Sequence, residues 1–457
     1  MKIPLRIAVA LIVVGCGTRL ARAGDGIVDL TKLANYANQP IPAYIVRNNT
    51  PLNNPITDAG ATLGRVLFYD KRLSRNDTVS CSSCHQQARA FGDLATASTG
   101  VSGTTGRHSM RLINARFATV ARFFWDRRAT SLESQTTQPI QDHVEMGFSG
   151  ANGDPSFATL VSKLSAIAEY RVLFAMTFGD AAITEVRIQQ ALAQFVRSIQ
   201  SFDSRFDVGL ARVMETGGNV GTPFPNFTGQ ENAGKQLYLA PPPQGGAGCA
   251  GCHRAPEFDI DPNSLNNGVT GRIGGGTDLT NTRSPSLRDL VGPGGQSNGG
   301  FMHNGVFTTL AQVVNHYNVI PGDNANLDQR LRRPGGQVQN LNLTQQQRNE
   351  LAAFLGTLTG NAVYTDARWS DPFNAQGALS LIVLPAGAVS IHSNGNGTAT
   401  VACQAVPGFQ YQLWSSPNLT NWSNVATVTP DTNGVCEHIV PLGGKLFYQY
   451  RFVPPAP

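Results

Sequence analysis

Residues 81–85 read Cys-Ser-Ser-Cys-His, and residues 249–253, 168 positions later (249 minus 81), read Cys-Ala-Gly-Cys-His. Two cysteines three apart fall on one side of a helical turn. Both thiols can then add to the vinyl groups of one haem, and the imidazole of the next residue comes under the iron. C-x-x-C-H is the attachment pattern of a c-type haem. A zinc site pooling the four thiols is the rival reading. Zinc knuckles and ribbons, however, close over far shorter segments and do not require His directly after the second Cys. The sequence therefore predicts two covalently bound c-type haems, one on Cys81, Cys84 and His85 and one on Cys249, Cys252 and His253, with His85 and His253 as iron ligands.

The N-terminus predicts export. Met1 to Arg6 form a short basic start, Ile7 to Val14 an apolar run too short to span a bilayer, and Leu20-Ala21-Arg22-Ala23 a cleavage signal. Residues 1–23 are thus expected to be a signal peptide. Val13-Val14-Gly15-Cys16 also resembles a bacterial lipobox, which would put a lipid anchor on Cys16. Either route leads to a periplasmic or exported protein with no transmembrane span.

The formal net charge is +5, but Lys2, Arg6, Arg19 and Arg22 lie in the leader, which leaves 31 basic residues (35 minus 4) against 30 acidic ones. A near-neutral mature chain gives no reason to expect nucleic acid or an anionic membrane as partner. Charged residues make up 14%, sparse against an average near 25%, while Gly numbers 48 and Pro 27. That composition predicts long ordered loops around short helices, with cofactors supplying part of the core. A length of 457 residues suits two or three domains.

An internal duplication surrounds the two motifs. Gly64-Arg65-Val66-Leu67-Phe68 precedes the first and Gly234-Lys235-Gln236-Leu237-Tyr238 the second, each read as the end of a short amphipathic helix. Downstream, Phe124-Trp125 then Leu132 is echoed by Phe301-Met302 then Leu310. Two cytochrome c domains are expected, over 51–215 and 225–362, after a lead-in over 24–50. Thr184 should cap a helix with Val186, Leu192, Phe195, Val196 and Ile199 inward. Thr344 with Gln347 forms a capping box before Leu351, Phe354, Leu355 and Leu358, and Gly360 should stop that helix.

After Asp371-Pro372 the texture changes to strand-like runs such as LSLIVL, TATVACQAV, FQYQLW and LFYQYRFV between Gly, Asn and Pro turns. The fold class expected is mainly α, with two cytochrome c-type domains followed by a small all-β, sandwich-like domain over 376–457. Cys403 and Cys436 fall on strands in an oxidising compartment, so a disulfide is expected. Nothing in this segment carries recognisable chemistry.

Taken together, Leu63-Gly64-Arg65, Leu67-Phe68-Tyr69-Asp70, CSSCH, Phe123-Phe124-Trp125-Asp126, Gln135, Pro139-Ile140-Gln141, Val144-Glu145-Met146, CAGCH and Arg283-Ser284-Pro285-Ser286-Leu287-Arg288 resemble the bacterial di-haem cytochrome c peroxidase family, which includes the MauG-type maturase. The resemblance runs over about residues 50–365. It implies a peroxidatic first domain, an electron-transfer second domain, and Glu145 as acid/base over the first haem with Gln135 beside it. It further implies Trp125 as the electron bridge, and an interdomain calcium held by Asn114 and the carbonyls of Arg283 and Pro285. His143 has no role to carry over.

One departure matters. Many family members carry a displaceable distal His in the stretch matching Ser98 to Gly103, which here is STGVSG. His108 follows in Arg107-His108-Ser109-Met110 and reads as a loop residue, so the first iron is expected to be open at rest. At the second iron the resemblance points to Tyr317 as sixth ligand, with His316 and Met302 as alternatives. A phenolate lowers the potential of its iron relative to a thioether.

Three functions compete on this reading. The first is reduction of hydrogen peroxide to water with electrons from a small periplasmic cytochrome or cupredoxin. The second is MauG-type, peroxide-dependent oxidation of a partner protein's side chain. The third is a non-enzymatic di-haem electron carrier, which would need both irons six-coordinate.

Overall fold

A computed structural model describes residues 24–119, 122–258, 263–385, 389–444 and 446–456. The expected signal peptide and the lipobox at Cys16 lie outside the described residues. Helices are α1 (Asp58–Tyr69), α2 (Cys81–Cys84), α3 (Leu132–Thr136), α4 (Phe157–Ser165), α5 (Ala168–Phe178), α6 (Glu185–Ser198), α7 (Arg205–Glu215), α8 (Gly229–Leu239), α9 (Leu310–Asn318) and α10 (Gln345–Gly356). Strands are β1 (Ile27–Asp29), β2 (Thr99–Gly100), β3 (Gly103–Thr104), β4 (Ser380–Ile382), β5 (Val389–Ser393), β6 (Thr398–Gln404), β7 (Gln410–Ser416), β8 (Ser423–Val428), β9 (Val435–Pro441) and β10 (Phe447–Val453). Among the described residues no helix is long and apolar enough to cross a membrane.

The described residues divide into two compact units, those within 35–160 and 185–370, and those within 24–34, 161–184 and 371–456. The two haem segments share the first unit, and residues 161–184, expected in the first haem domain, fall in the second.

Within the first unit the duplication is visible in three dimensions. Thr57 caps α1, its hydroxyl accepting from Gly60 N at 3.0 Å, and α1 buries Leu63, Val66, Leu67 and Phe68. It crosses α6 at Gly64, where an added Cβ would meet Ala191 O at 2.0 Å. In the second half α8 crosses α10 at Gly234, whose Cβ would overlap the carbonyl oxygen of Glu350. Each haem loop thus leaves the same kind of helix pair, joined backbone to backbone at a glycine.

Leu192, Phe195, Val196 and Ile199 of the α6 region are buried as expected, whereas Val186 is 60% exposed. Being in the helix's first turn, Val186 lies before the buried stripe begins. Thr344 and Gln347 close the capping box on α10, and Leu351, Phe354, Leu355 and Leu358 are buried. That helix ends at Gly356 with Thr357 as its cap, four residues before the expected stop. Gly360 instead leaves room for the side chains of Ser201 and Asp203. The second-half core gathers Phe206, Phe224, Tyr238, Phe258 and Phe354, around the fully buried Arg288, whose guanidinium pairs with Asp207 at 2.8 Å.

In the other unit two three-stranded antiparallel sheets form, with orders β5-β6-β9 and β10-β7-β8. Their buried residues include Val401, Cys403, Tyr411, Leu413, Cys436 and Val440. The hydroxyl of Tyr450 on one sheet donates to Val401 O on the other at 2.9 Å, so the two sheets face each other as a sandwich. The LSLIVL run is not part of it: Ser380–Ile382 pairs in parallel with Ile27–Asp29. Cys403 and Cys436 stand directly opposite one another on β6 and β9 and are buried, with no bond between their sulfurs in this structure.

Candidate active site: two haem-attachment motifs

Ser80 precedes α2, and Ser83 Oγ accepts from Ser80 N at 3.0 Å, closing a capping box at the start of the first attachment motif. His85 ends that turn, with Nδ1 3.1 Å from the carbonyl of Phe91. A ring nitrogen facing a carbonyl must carry the proton. Nε2 is left with the lone pair that an iron needs. Ala90 and Phe91 both adopt the left-handed region, at φ 51 and 60, and the turn they make brings the Phe91 carbonyl back to the ring.

A cavity of about 730 Å³ opens beside the motif, lined by Cys81, Cys84, His85, Trp125, Gln135 and Glu145 among others. Arg111 also lines it, and its Nε is buried with no hydrogen-bond partner. Two thiols, a correctly tautomerised imidazole, an apolar wall and a buried guanidinium awaiting an acceptor fit a c-type haem with its propionates.

Glu145 is held at this cavity by backbone, from the segment where a distal His was missing. Val101 N donates to Glu145 O and Ser102 N to Val144 O, each at 3.1 Å. Gly100 packs so closely that a Cβ would lie 2.1 Å from Val144 O. The β2-β3 hairpin therefore presents no ligating side chain and buttresses the carboxylate segment instead. Burial pushes the Glu145 carboxyl up to about 7, Asp142 adding to the rise and Arg128 opposing it. Asp142 is fixed nearby by accepting from Val144 N at 2.8 Å and Glu145 N at 3.0 Å. Arg128 stacks over Phe124 at 3.5 Å and pairs with Asp126 at 2.9 Å. Gln135, on α3, lines the same cavity.

His108 points its Nδ1 at the carbonyls of Ala95 (3.0 Å) and Thr96 (3.3 Å), a loop residue bound to its own loop. His143 pairs with Asp154 at 2.8 Å and is 39% exposed, at the surface.

Trp125 joins the two halves. Its Nε1 donates to His108 O, its carbonyl accepts from Arg283 N, both at 2.7 Å, and its ring meets that of His303 edge to face at 6.4 Å. The duplication explains the meeting. Phe123 bridges to Ala129 and Phe301 to Phe307, the next residues Phe124 and Met302 have φ 67 and 70, and capping boxes at Ser131 and Thr309 then start α3 and α9. Trp125 is thus the counterpart of His303, which moves the correspondence read from sequence by one residue.

Sequence reasoning missed the ionic cluster beside Trp125. Arg107 pairs with Asp126 at 2.8 Å and with Asp278 at 3.0 Å, and these partners are too far apart in the chain to leave a local pattern. Asn114, expected at a calcium, lies in the cavity wall with φ 56. Its Oδ1 accepts from Ser201 N at 2.9 Å and its Nδ2 donates to Ser201 O at 3.1 Å. Arg283 lines the same wall, its guanidinium over the Phe123 ring at 4.9 Å. Among the described residues no group of three or more His, Cys, Asp or Glu could hold a metal ion, so a cation here would depend on neutral oxygens.

The second motif is a 3-10 turn, Cys249–Gly251, entered through Gly248 at φ 70. His253 N bonds to Cys249 O at 2.9 Å, and Tyr238 donates its hydroxyl to the His253 carbonyl. Tyr317, on α9, is half-buried, and its desolvation raises the phenol well above the ordinary range. Asn267 Nδ2 lies 3.4 Å from the Tyr317 hydroxyl and 3.2 Å from Met302 Sδ. His316 instead turns Nε2 to Asn267 O at 2.8 Å. Two thiols, a following His and a nearby phenol fit a second c-type haem.

The di-haem cytochrome c peroxidase profile matches residues 58–213. The methylamine utilization protein MauG of Methylophilus methylotrophus is 31% identical over 332 residues, covering 69% of this chain and 87% of its own. The cytochrome c551 peroxidase of Nitrosomonas europaea is 27% identical over 370 residues, 78% of this chain and 92% of its own. A crystal structure of a MauG-like protein associated with microbial copper homeostasis superposes with a TM-score of 0.57 at 30% identity, over 73% of this chain and 99% of that one. With two haem-attachment motifs and a cavity lined by Glu145, Gln135 and Trp125, the chain belongs to the di-haem cytochrome c peroxidase family.

Proposed function

We propose that this protein reduces hydrogen peroxide to water in the periplasm, taking two electrons and two protons per peroxide, with a small cytochrome or cupredoxin as electron donor. The observation that carries the reading is Glu145, a carboxyl poised at about 7 in the His85 cavity and held there by a hairpin without a ligating side chain. Cys81, Cys84 and His85 hold one haem, and Cys249, Cys252, His253 and Tyr317 the other. Each haem, when bound, supplies an iron that exchanges single electrons. Glu145 takes a proton from one peroxide oxygen and returns it to the other, which leaves as water when the O–O bond breaks, and the two electrons from the donor with two protons turn the remaining oxygen into the second water. The Gln135 amide orients the peroxide, and Trp125 carries electrons between the haem sites. Calcium at Asn114 Oδ1 and the carbonyls of Arg283 and Pro285 stiffens the wall that Trp125 shares with the second half. The all-oxygen donor set suits a hard cation.

A second reading, peroxide-dependent oxidation of a partner protein's side chain, is favoured by one observation, a phenol on α9, Tyr317, in the half of the chain that carries the second attachment motif, its hydroxyl 3.4 Å from Asn267 Nδ2. Mixing the holoprotein with peroxide and a reduced small cytochrome tests the choice. Rapid, repeated oxidation of the cytochrome is the expected result. Peroxide consumption that modifies a protein substrate and ignores the cytochrome would favour the second reading, and inertness to peroxide would leave an electron carrier.

A further inference from the structure

Three side chains that could ligate the second iron converge on one residue that is itself no ligand. Asn267 accepts His316 Nε2 at its backbone carbonyl, at 2.8 Å. Its Nδ2 lies 3.2 Å from Met302 Sδ and 3.4 Å from Tyr317 Oη. The amide cannot turn freely, because its Oδ1 accepts from Val269 N at 3.1 Å. That bond fixes which end faces the sulfur and the phenol.

The loop beneath is equally fixed. Asn266 is fully buried, and its Oδ1 accepts from Gly268 N at 2.8 Å and from Asn324 Nδ2 at 3.1 Å. Gly268, at φ 84, brings the turn against Ile320 and His316, where a Cβ would stand 2.9 Å from Ile320. A donor mounted this rigidly keeps its place whatever the charge on the oxygen it faces.

We infer that Asn267 is a positioning residue for the second haem: its carboxamide N–H₂ orients the Tyr317 oxygen and tempers its donation to the iron, while engaging the Met302 sulfur that would otherwise compete. This rests on the reading that Tyr317 is the sixth ligand. A hydrogen bond to a ligating oxygen withdraws electron density from it, so the iron is easier to reduce than with a bare phenolate. The same bond occupies a sulfur lone pair, so the thioether is held as a neighbour.

The test compares Asn267→Leu, Met302→Leu and Tyr317→Phe holoproteins with wild type by redox titration and by the phenolate-to-iron charge-transfer band. Asn267→Leu should make the second haem harder to reduce, raising its oxidised-to-reduced ratio at a fixed solution potential about tenfold, the lower end of what outer partners of a metal ligand contribute. Its charge-transfer band should shift, and Met302→Leu should do neither. If Tyr317→Phe alters the second haem while Asn267→Leu leaves potential and band unchanged, the role of Asn267 is refuted and the ligand stands. If Tyr317→Phe changes nothing, both are refuted. Should Asn267→Leu fail to fold, resonance Raman of the wild type in H₂O and D₂O decides: a solvent-isotope shift of the phenolate C–O mode supports the bond, and its absence overturns it.

Discussion

Gly64 lies flat against the backbone carbonyl of Ala191, where any side chain would stand 2.0 Å from the oxygen. The α1-α6 crossing carries the loop that presents Cys81, Cys84 and His85, so the glycine sets where the first haem can sit. Gly64→Ala is expected to cost about 1–3 kcal/mol, the usual range for overpacking. Thermal unfolding of the holoprotein should show a lowered midpoint, and an unchanged midpoint would mean that the crossing relaxes.

Gly100 makes an equally close approach, to Val144 O, but beside the carboxylate proposed to be catalytic. Gly100→Val should push the β2-β3 hairpin off the Glu145 segment and lose the bonds from Val101 and Ser102. Both haems should remain attached while the reaction with peroxide slows about 100-fold, as expected when a catalytic group shifts by about an ångström. Stopped-flow rates measure this, and a wild-type rate would show that the hairpin does not position Glu145.

Much of this was legible in the sequence because it is local. The C-x-x-C-H repeats, the capping box at Thr344 and the repeated pentapeptide before each motif are written in consecutive residues, and the structure forms that capping box and ends a helix at each pentapeptide. What escaped is non-local. The bonds of Arg107 to Asp126 and Asp278, the pairing of Arg288 with Asp207, and the convergence of Met302 and Tyr317 on Asn267 all join residues that only the fold brings together. The one-residue slip between Trp125 and Met302 has a physical cause too. The signal that aligns the repeats is the left-handed backbone at Phe124 and Met302, which side-chain identity hides because neither is glycine.

The Glu145 carboxyl, raised to about 7 by burial and by Asp142, predicts a pH profile. The carboxylate is the form that accepts the peroxide's proton, so the rate of reaction should climb as pH rises through about 7 and level off above it. Glu145→Gln cannot accept that proton and should be slower by 100-fold or more, the scale of general acid/base catalysis, with a flat profile. A sloping profile in the Gln variant would assign the titration to another group.

The calcium proposed at Asn114 has a separate readout. With the Asn114 carboxamide already bonded to Ser201 and no acidic cluster among the described residues to help, the ion should be held weakly and be removable by a chelator. Its removal should slow electron transfer between the haems and shift the absorption of the first, both reversed by adding calcium and not magnesium. Indifference to prolonged chelation, verified by elemental analysis, would exclude the site.

The last prediction turns on what the hairpin does not carry. A peroxidase whose first haem is capped by a histidine must be half-reduced before that ligand leaves. Here the backbone of Val101 and Ser102 is bonded to Glu145 and Val144, and His108 bonds Ala95 and Thr96 through Nδ1 while its Nε2 stands against Gly299, so the ring would have to turn before it could reach the iron. The fully oxidised protein should therefore react with peroxide on first mixing, without a priming electron, and pre-reduction should not accelerate it. Stopped-flow mixing of the diferric protein with a small excess of peroxide makes the comparison. An absorbance change that awaits prior reduction would mean that some residue caps the first iron at rest, and a His108→Ala variant that abolished the delay would identify it.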